Sequence, residues 1–276
     1  MDEVRDKRFT DRVVVVTGGA SGIGLASARG FAAGGAKVAI GDVADAQDAV
    51  REINDAGGEA TYLPTDVSVA KDMRALIDGA VRRWGGLDAI FNNAGIGMAR
   101  PIEDVSEEDY DRLFAINVKG VFLGCKLALP ELLRRGGGAI VNMSSSGGLL
   151  ARASDPVYSA SKHAVMGLTK GLAVTYAHRN VRINAVCPGP ISTPLMWGKD
   201  LDDIDEQERR ERYPSLVATC PAARAADPDE VARAVLFLAS DEASFISGVG
   251  LAIDGAKAAG VMPIERFRLD LPYLQA

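Results

Sequence analysis

The sequence predicts an α/β fold, a doubly wound parallel sheet of about seven strands with helices on both faces. Three observations lead to this prediction. Short apolar runs recur along the chain, helix-like stretches separate them, and a glycine-rich turn directly follows the first run. Because the runs lack polar alternation, we expect strands that are buried on both faces, as in parallel sheets.

Seven runs of β-branched and small apolar residues are the predicted strands. They are Arg12–Thr17, Lys37–Asp42, Glu59–Thr65, Leu87–Asn92, Ala139–Met143, Val181–Val186 and Val249–Ile253. Helical patterns fill the intervals between them. The predicted helices are Ile23–Ala33, Ala44–Ala56, Ala70–Trp84, Tyr110–Arg135 (as two helices), Tyr158–Ala177 and Pro228–Ala239. This alternation is typical of a doubly wound sheet.

The chain has no linker rich in Pro, Gly or Ser and no fixed-period repeat, so we expect one domain over residues 1–276. Two segments do not fit the alternation. Residues 188–226 follow a strand and carry a charged middle, which fits either a solvated helix or a lid over a ligand site. Val261–Ala276 has no clear period, so it either frays or packs on a neighbouring subunit.

Composition limits the classes of function. The 276 residues are 47% hydrophobic and 25% charged, which is ordinary for a globular protein with a sizeable core. The net charge of −6 without a basic patch argues against a nucleic-acid partner. Three dispersed cysteines and two histidines predict neither a disulfide framework nor a metal site. The charged N-terminus is unlike a signal peptide and no apolar segment approaches bilayer length, so we expect a cytoplasmic protein with no membrane partner.

The turn after the first strand, TGGASGIG, has the composition of a phosphate-binding loop. Gly18, Gly22 and Gly24 would let the backbone approach a pyrophosphate, and the next helix would offer its N-terminal amides and dipole. Ser27 stands where the commoner G-x-G-x-x-G fingerprint has its third glycine. A glycine-rich turn without a ligand is the alternative, and the flanking strand and helix favour the ligand.

Two aspartates end strands near this turn. Asp42 could accept hydrogen bonds from the hydroxyls of an adenosine ribose and repel a 2′-phosphate, which predicts NAD as the cofactor. It could instead cap the helix that follows. Asp66 is equally ambiguous, because it could bind an adenine amino group or cap the helix beginning near Ala70.

Tyr158 and Lys162 stand four residues apart in YSASK, so a helix places both side chains on one face. A free tyrosine has a pKa near 10, and a neighbouring ammonium or a positive nicotinamide favours the phenolate. The pair could therefore act as a general acid or base. Without other support, a Tyr/Lys pair at this spacing is more often a surface feature.

Support comes from the strand that precedes this helix. It delivers Ser144, Ser145 and Ser146 to the carboxyl edge of the sheet, where a hydroxyl could donate to a substrate oxygen. An ordinary serine turn is the alternative. Asn117 lies within a helical pattern, where it could bend the backbone and order a water beside Lys162, or be merely exposed.

Several motifs occur in the order of the short-chain dehydrogenase/reductase family, which the chain resembles roughly from Phe9 to Gly260. The motifs are TGGASGIG, NNAG at Asn92–Gly95, Asn117, the serine strand, YSASK, and PGPISTP at Pro188–Pro194. Asp88 stands where the family has an aspartate, while Phe91 and Ala256 depart from the usual pattern. The resemblance implies a Rossmann-type fold, a nicotinamide cofactor, and hydride transfer to or from a secondary alcohol or ketone.

The resemblance also implies a role for each matching residue. The catalytic tetrad would be Asn117, Ser145, Tyr158 and Lys162, with Ser145 preferred to Ser144 by its spacing from the tyrosine. Tyr158 would protonate the alkoxide in reduction, and a relay through the ribose, Lys162 and a water would restore the proton. The residues implied to hold the cofactor are Gly18, Ser21, Gly22, Ile23, Gly24, Asp42, Asp66, Val67, Asn93, Ala94, Gly95, Tyr158, Lys162, Pro188, Gly189, Ile191 and Thr193.

We therefore expect an NAD-dependent oxidoreductase that acts on a small-molecule secondary alcohol or ketone. A 3-oxoacyl-thioester reductase of the same family is one alternative, although those members usually take NADPH and carry basic residues that Gly41–Val43 and Ala20–Ser21 lack. A catalytically silent NAD-binding sensor or scaffold is another, and it would tend to lose the tyrosine or the lysine. Turnover distinguishes the enzyme from the scaffold.

The substrate and the assembly have weaker signals. Residues that border the family's pocket suggest an apolar, alicyclic or steroid-like substrate, or else they pack a lid against the core. They are Leu149, Leu150, Met196, Trp197 and Tyr213. The helix Tyr158–Ala177 is apolar and small on more than one face, which predicts a homo-oligomer, and the family's usual assembly is a tetramer.

Overall fold

The structure is a computed structural model that describes residues 7–152, 155–197, 207 and 217–260. Its seven strands are parallel and lie in the order β3-β2-β1-β4-β5-β6-β7. They are β1 (Val13–Thr17), β2 (Lys37–Asp42), β3 (Glu59–Pro64), β4 (Ala89–Asn92), β5 (Gly138–Met143), β6 (Val181–Pro188) and β7 (Gly250–Ile253). The predicted fold class and strands are confirmed. The order reverses between β1 and β4, and ligands of such sheets bind at this switch point.

Eight helices surround the sheet in the described part of the chain. They are α1 (Gly22–Ala33), α2 (Gln47–Asp55), α3 (Ala70–Trp84), α4 (Glu107–Phe114), α5 (Gly120–Arg134), α6 (Pro156–Tyr176), α7 (Pro194–Trp197) and α8 (Pro228–Ala239). Local sequence determines where α8 begins, because Pro228 occupies its first turn and Asp227 and Glu230 form a capping box.

The core has two layers because consecutive residues of a strand point to opposite faces of the sheet. Val14 and Val16 of β1 pack with α1, α2 and α8, whereas Val13 and Val15 pack with α3, α5 and α6. All five residues of β1 are buried. The apolar run that predicts this strand is therefore explained by burial on both faces.

The two helices predicted over Tyr110–Arg135 are present as α4 and α5, but no break separates them. The elements α4 and α5 form one helix, Glu107–Arg134, through a π-helical turn at Ala115–Lys119. By length and composition this helix could cross a membrane, which corrects the expectation that no segment approaches that length. Half of the apolar stretch of this helix is buried in the protein, and Leu129 and Leu132 lie in the core, as in a central helix of a globular domain.

The segment predicted as a lid, residues 188–226, is described in part. Ile191 pairs with Ala226 in an isolated β-bridge, and Trp197 at the end of α7 is buried. Most of the charged middle, including Tyr213, lies outside the described residues, and so does the tail Val261–Ala276. The lid, the packing of the tail and the single domain over residues 1–276 therefore stay predictions.

Candidate active site

The glycine turn between β1 and α1 has backbone conformations that favour glycine. Gly18 and Gly22 have φ angles of +67° and +53°, in the left-handed region. A Cβ atom at Gly18 would lie 2.8 Å from Cα of Ala94, and one at Gly24 would collide with the carbonyl oxygen of Gly18. The first turn of α1 contains no acidic side chain, and Ser21 caps it with no side-chain hydrogen bond. The turn is therefore shaped for close backbone approach of an anion to the positive end of the α1 dipole.

The Asn93–Ala94 turn after β4 holds the glycine turn in place. The side-chain amide of Asn93 donates to the carbonyl oxygens of Thr17 and Gly18, both at 2.9 Å. The hydroxyl oxygen of Thr17 accepts from the backbone amides of Asn93 at 3.0 Å and of Ala94 at 3.2 Å. These bonds connect β4 to the turn after β1, which supports the structural part of the role implied for this motif.

Asp42 lies beside the glycine turn. Its two carboxylate oxygens accept from the backbone amides of Ala20 and Ala44, each at 3.0 Å. The helix α2 begins at Gln47 with Ala46 as its N-cap, which excludes the capping alternative for Asp42. Within the described residues no lysine or arginine forms an ion pair with Asp42. Its carboxylate therefore keeps acceptor capacity for further donors.

Asp66 organises the turn before α3. One of its carboxylate oxygens accepts from the amide and the hydroxyl of Ser68, at 2.8 and 2.7 Å, whereas the N-cap of α3 is Val69. The neighbouring Val67 is buried and packs with Met73. Asp66 therefore does not cap α3, and its contact with an adenine stays a prediction.

The two serines that follow β5 have different partners. The hydroxyl of Ser144 donates to the carbonyl oxygen of Lys162 at 3.0 Å and so ties the end of β5 to α6. Ser145 is buried and accepts from the amide of Gly147 at 3.0 Å. It lies beside the Tyr158 ring, since a Cβ atom at Gly147 would lie 3.5 Å from Oγ of Ser145 and 3.6 Å from Cε1 of Tyr158. The structure thus brings Ser145, and not Ser144, to the tyrosine.

Lys162 lies behind the phenol. It is 3% exposed, and its Nζ donates to the carbonyl oxygen of Met143 at 3.1 Å and lies 5.6 Å from the centre of the Tyr158 ring. Burial lowers the pKa of Lys162 to about 8. Burial also raises the pKa of Tyr158, while the neighbouring Ser145 hydroxyl and the charge of Arg152 lower it. At neutral pH the phenol therefore carries its proton, and Lys162 is largely charged.

Asn117 is in the π turn between α4 and α5 and is completely buried, which excludes the exposed alternative. Its side chain accepts from the amide of Ile96 and donates to the carbonyl oxygen of Ile96, both at 2.9 Å, and donates to Ser161 at 3.3 Å. A Cβ atom at Gly95 would lie 3.1 Å from Oδ1 of Asn117 and 3.4 Å from Nζ of Lys162. The π turn therefore places Asn117 next to Lys162, as π turns often do for functional side chains.

The segment after β6 returns to the glycine turn. A Cβ atom at Gly22 would lie 3.2 Å from the methyl group of Thr193, so these two residues lie close together. Pro188 ends β6, Ile191 is buried, and a Cβ atom at Gly189 would lie 2.8 Å from Cα of Asp254. The predicted nicotinamide side of the site is thus adjacent to the start of α1, where Ile23 and Ser21 also lie.

The predicted apolar wall is only partly assembled. Leu149 packs against a small buried cluster that contains Met166 and Cys187, whereas Leu150 is exposed. Trp197 is 2% exposed, which favours the packing alternative for this side chain, and Met196 is half-buried.

The sequence reasoning missed an ion pair beside Tyr158. Nε and Nη2 of Arg152 donate to the two carboxylate oxygens of Asp155, which is 1% exposed. The guanidinium carbon lies 5.3 Å from the centre of the Tyr158 ring. Opposite charges three residues apart, directly before the helix that carries YSASK, are the signal that could have found this pair.

The chain is similar to known proteins over most of its length. The family model described as Enoyl-(Acyl carrier protein) reductase matches residues 18–256. The chain is 44% identical over 253 residues to the cis-4-hydroxycyclohexanecarboxylate dehydrogenase of Sinomonas cyclohexanicum, covering 91% of this chain and 98% of that one. It is 41% identical over 254 residues to the cyclopentanol dehydrogenase of Comamonas testosteroni, with coverage of 91% and 99%.

The crystal structure of levodione reductase has a TM-score of 0.84 with this chain at 36% identity, covering 92% of this chain and all of that one. The similarity thus extends over nearly the whole length of each relative. The relatives are named as dehydrogenases and a reductase, the solved structure shares the fold, and the chain therefore belongs to the short-chain dehydrogenase/reductase family of oxidoreductases.

Proposed function

We propose that the protein interconverts alicyclic secondary alcohols and ketones with NAD as its hydride carrier. The observation that carries the proposal is the Tyr158 phenol, which lies beside the buried Ser145 and has the buried ammonium of Lys162 5.6 Å from the centre of its ring. Two relatives are named for cyclopentanol and for a hydroxycyclohexanecarboxylate, and each of these substrates carries a hydroxyl on a ring.

The residues present fit a dinucleotide. The crowding at Gly18 and Gly24 excludes side chains where a pyrophosphate would meet the backbone, and the open first turn of α1 favours its charge. Asp42 has acceptor capacity for the ribose hydroxyls beyond the amides that it already binds. When bound, the nicotinamide supplies the acceptor or donor of the hydride.

The side chains of the tetrad handle the proton. Ser145 and Tyr158 lie side by side, so both hydroxyls could bind one substrate oxygen, and the phenol would then be within reach of the oxygen that gains or loses the proton. In reduction Tyr158 gives its proton to the alkoxide, and in oxidation the phenolate takes it back. The ammonium of Lys162 stabilises the phenolate, and Asn117 fixes the backbone at Ile96 beside it.

We further propose that Asp42 selects NAD over NADP. The 2′-phosphate of NADP would approach a carboxylate that no described lysine or arginine neutralises, and the neighbouring Val43 is exposed and apolar. Like charges at close range cost several kcal/mol when partly desolvated, on the order of 2–4 kcal/mol at a protein surface. Bound NAD would instead offer ribose hydroxyl donors to the same oxygens.

Reduction of a 3-oxoacyl thioester is the second candidate. The matching family model is named for an enoyl-(acyl carrier protein) reductase, which supports a thioester substrate although an enoyl reductase reduces a double bond and not a ketone. The two candidates differ in cofactor as well as in substrate. A panel of cyclopentanol and cyclohexanol with NAD, and of a 3-oxoacyl thioester with NADPH, followed by NAD(P)H absorbance, distinguishes them. Turnover of the thioester alone would replace the proposal, and a lack of any turnover would favour a silent cofactor-binding protein.

We also propose that α6 lies in a homo-oligomer interface, within a tetramer. Val174 is 84% exposed on this helix, and Cβ atoms at Gly167 and Gly171 would contact no described atom within 4 Å. An exposed strip of small and apolar residues allows two helices to approach closely. Light scattering should therefore give a mass well above the 29.0 kDa of one chain.

A further inference from the structure

We infer that Arg152, held in place by Asp155, is a second cation beside the Tyr158 ring and stabilises its phenolate together with Lys162. This inference rests on the proposed function, in which oxidation needs that phenolate, and it adds a positioning residue to that function. Arg152 lies in the segment between β5 and α6 and is not a member of the tetrad.

Two cations lie at similar distances from the centre of the Tyr158 ring. The guanidinium carbon of Arg152 is 5.3 Å from it, and Nζ of Lys162 is 5.6 Å from it. A cation within about 6 Å of a ring centre is attracted to the ring, and at this range a positive charge favours the charged form of an acid. The charge of Arg152 accordingly lowers the pKa of Tyr158, against the effect of burial. The position of Arg152 therefore favours the phenolate.

Arg152 is anchored in this position by a buried carboxylate. Nε of Arg152 donates to Oδ1 of Asp155 at 3.0 Å, and Nη2 donates to Oδ2. The backbone amide of Arg152 donates to the hydroxyl of Ser159 at 3.2 Å, and that hydroxyl donates to Asp155 at 3.4 Å. Asp155 is 1% exposed, so its charge would be costly to bury without an ionic partner. The bidentate ion pair thus fixes the guanidinium beside the ring.

The two cations differ in their response to pH. Burial lowers the pKa of Lys162 to about 8, so its ammonium loses its proton in the range where the fraction of phenolate grows. An arginine in a protein keeps its charge throughout this range. Arg152 would therefore still stabilise the phenolate under alkaline conditions in which Lys162 no longer does.

Other titratable groups among the described residues act on these two cations. They are Asp155, which binds Arg152, Cys187, which acts on Lys162, and Lys257, which interacts with Arg152. Burial raises the pKa of Cys187 to about 11, so its thiol stays neutral over most of a titration. Asp155 carries a negative charge that opposes the effect of Arg152. A test of Arg152 therefore has to remove both of these charges together.

The test follows the ionisation of Tyr158 directly by NMR. The purified full-length protein, isotope-labelled at Cζ of its tyrosines, is titrated without cofactor, and the Tyr158 signal is the one missing in Tyr158→Phe. The double variant Arg152→Gln, Asp155→Asn removes both charges and leaves the net charge unchanged. The readout is the pH at which the Tyr158 signal reaches a fixed displacement. It should rise by about half a pH unit or more, because the phenolate loses a nearby cation.

Two further variants test whether the charge at this place is the cause, and circular dichroism at each pH checks that every variant is folded. Arg152→Lys keeps a cation that can still bind Asp155, so its titration should stay closer to that of the wild type. Asp48→Asn, Arg51→Gln makes the same two substitutions in an exposed ion pair of α2, whose partners also stand three residues apart. This control should leave the Tyr158 titration unchanged.

The reaction should respond in the same direction. At a pH below the midpoint, a rise of half a pH unit lowers the fraction of phenolate by about threefold. The value of kcat/KM for oxidation of cyclohexanol with NAD should therefore fall in the double variant by up to about that factor, and it should not fall in the α2 control.

The outcomes separate this inference from the proposed function. An unchanged titration in the double variant would show that Asp155 cancels the charge of Arg152 at the ring, and it would overturn the inference. An equal displacement in the α2 control, a displacement in Arg152→Lys as large as in the double variant, or a displaced titration with unchanged kcat/KM would overturn it too. Each of these results leaves the proposed function intact. If the wild type turns over no alicyclic alcohol with NAD, the proposed function fails, whereas the titration still decides whether Arg152 acts on Tyr158.

Discussion

Charged side chains lie at both edges of the sheet. Among the described residues, those at the carboxyl edge have fewer hydrogen-bond partners than those at the amino edge. At the carboxyl edge, Lys162 makes one hydrogen bond to the protein, and Nη1 of Arg152 makes none with the described residues. At the amino edge, Asp88 accepts from the amide of Val13 at 2.8 Å and from Nε and Nη2 of Arg135.

The amino edge also surrounds a cavity of about 240 Å³ that is lined by Arg8, Arg12, Arg135 and Arg182. This concentration of cations could suggest an anion site, but the arginines are engaged. Arg182 alone donates to four backbone carbonyl oxygens at and beyond the end of α8. Saturated groups stabilise the fold, whereas groups with spare donors or acceptors are available for a ligand. Substitutions at the carboxyl edge should therefore change turnover, and substitutions at the amino edge should change the free energy of unfolding.

The largest expected effect is on turnover at the carboxyl edge. Tyr158→Phe removes only the phenolic oxygen, and we expect kcat to fall by at least about a hundredfold, the usual scale for a positioned acid or base. The melting temperature should hardly change, because the ring and its contacts remain. Tyr176→Phe is the matched control, since Tyr176 packs against the core in the last turn of α6, far along the helix from Tyr158. Near-normal turnover in Tyr158→Phe would remove the tyrosine from its proposed role.

The next effect concerns cofactor choice. We expect the wild type to prefer NAD over NADP by at least about a hundredfold in kcat/KM, as the sum of repulsion at Asp42 and lost ribose hydrogen bonds. The double variant Asp42→Ala, Val43→Arg should narrow or reverse that preference, because it removes the carboxylate and adds a cation at an exposed position. The measurement is kcat/KM for both cofactors with one alcohol. Equal use of both cofactors by the wild type would contradict the role of Asp42.

Much of the fold was predictable from the sequence because burial alone determines it. A run such as RVVVVT has one stable place in a protein of this kind, the centre of a parallel sheet. The continuous helix through Asn117 was not predictable, because its π turn depends on hydrogen bonds to Ile96, which is 21 residues away. The periodicity of a sequence carries no information about such a contact.

The candidate site also has features that the sequence could predict and features that it could not. The residue types and their order were sufficient to predict that Tyr158 and Lys162 lie close together on one helix and that a glycine turn joins β1 to α1. Exclusion of the capping role for Asp42 needed the start of α2, which the sequence left uncertain by a few residues, and its contact with a ribose stays a prediction. Arg152 was overlooked because its position over the Tyr158 ring depends on a turn that follows β5 and not on any helical or strand period.

The pH dependence of the reaction tests the roles of Tyr158 and Lys162 at the carboxyl edge. Since burial raises the pKa of Tyr158, the phenolate is the minor form at neutral pH, and its fraction grows with pH. Oxidation needs the phenolate, so its kcat/KM should rise by roughly tenfold per pH unit from about pH 6. The slope should flatten near pH 8, where Lys162, with a pKa of about 8, loses the charge that stabilises the phenolate. Reduction, which uses the protonated phenol, should not rise over the same range. An oxidation rate that is flat between these values would contradict the assignment of Tyr158 as the base.

The smallest effect on catalysis is expected at the amino edge, where stability should change instead. Asp88→Asn keeps the size of the side chain but removes the charge that binds Arg135 and places an amide where a carboxylate accepts from several donors. We expect a loss of about 1–3 kcal/mol in the free energy of unfolding. The lower part of this range is favoured because the arginine partners are 39% and 44% exposed and are screened by solvent.

The matched control is Asp241→Asn at the same edge. Asp241 is 86% exposed and pairs with Arg12, so its loss should cost less than about 0.5 kcal/mol. Thermal and denaturant unfolding of both variants gives the comparison, and kcat of each folded variant should stay within about twofold of the wild type. A large fall in kcat for Asp88→Asn at unchanged stability would mean that the amino edge communicates with the site. Only the buried carboxylate of Asp88 loses hydrogen bonds that water cannot replace, so the two variants should lose unequal free energies of unfolding. Equal losses would contradict this explanation.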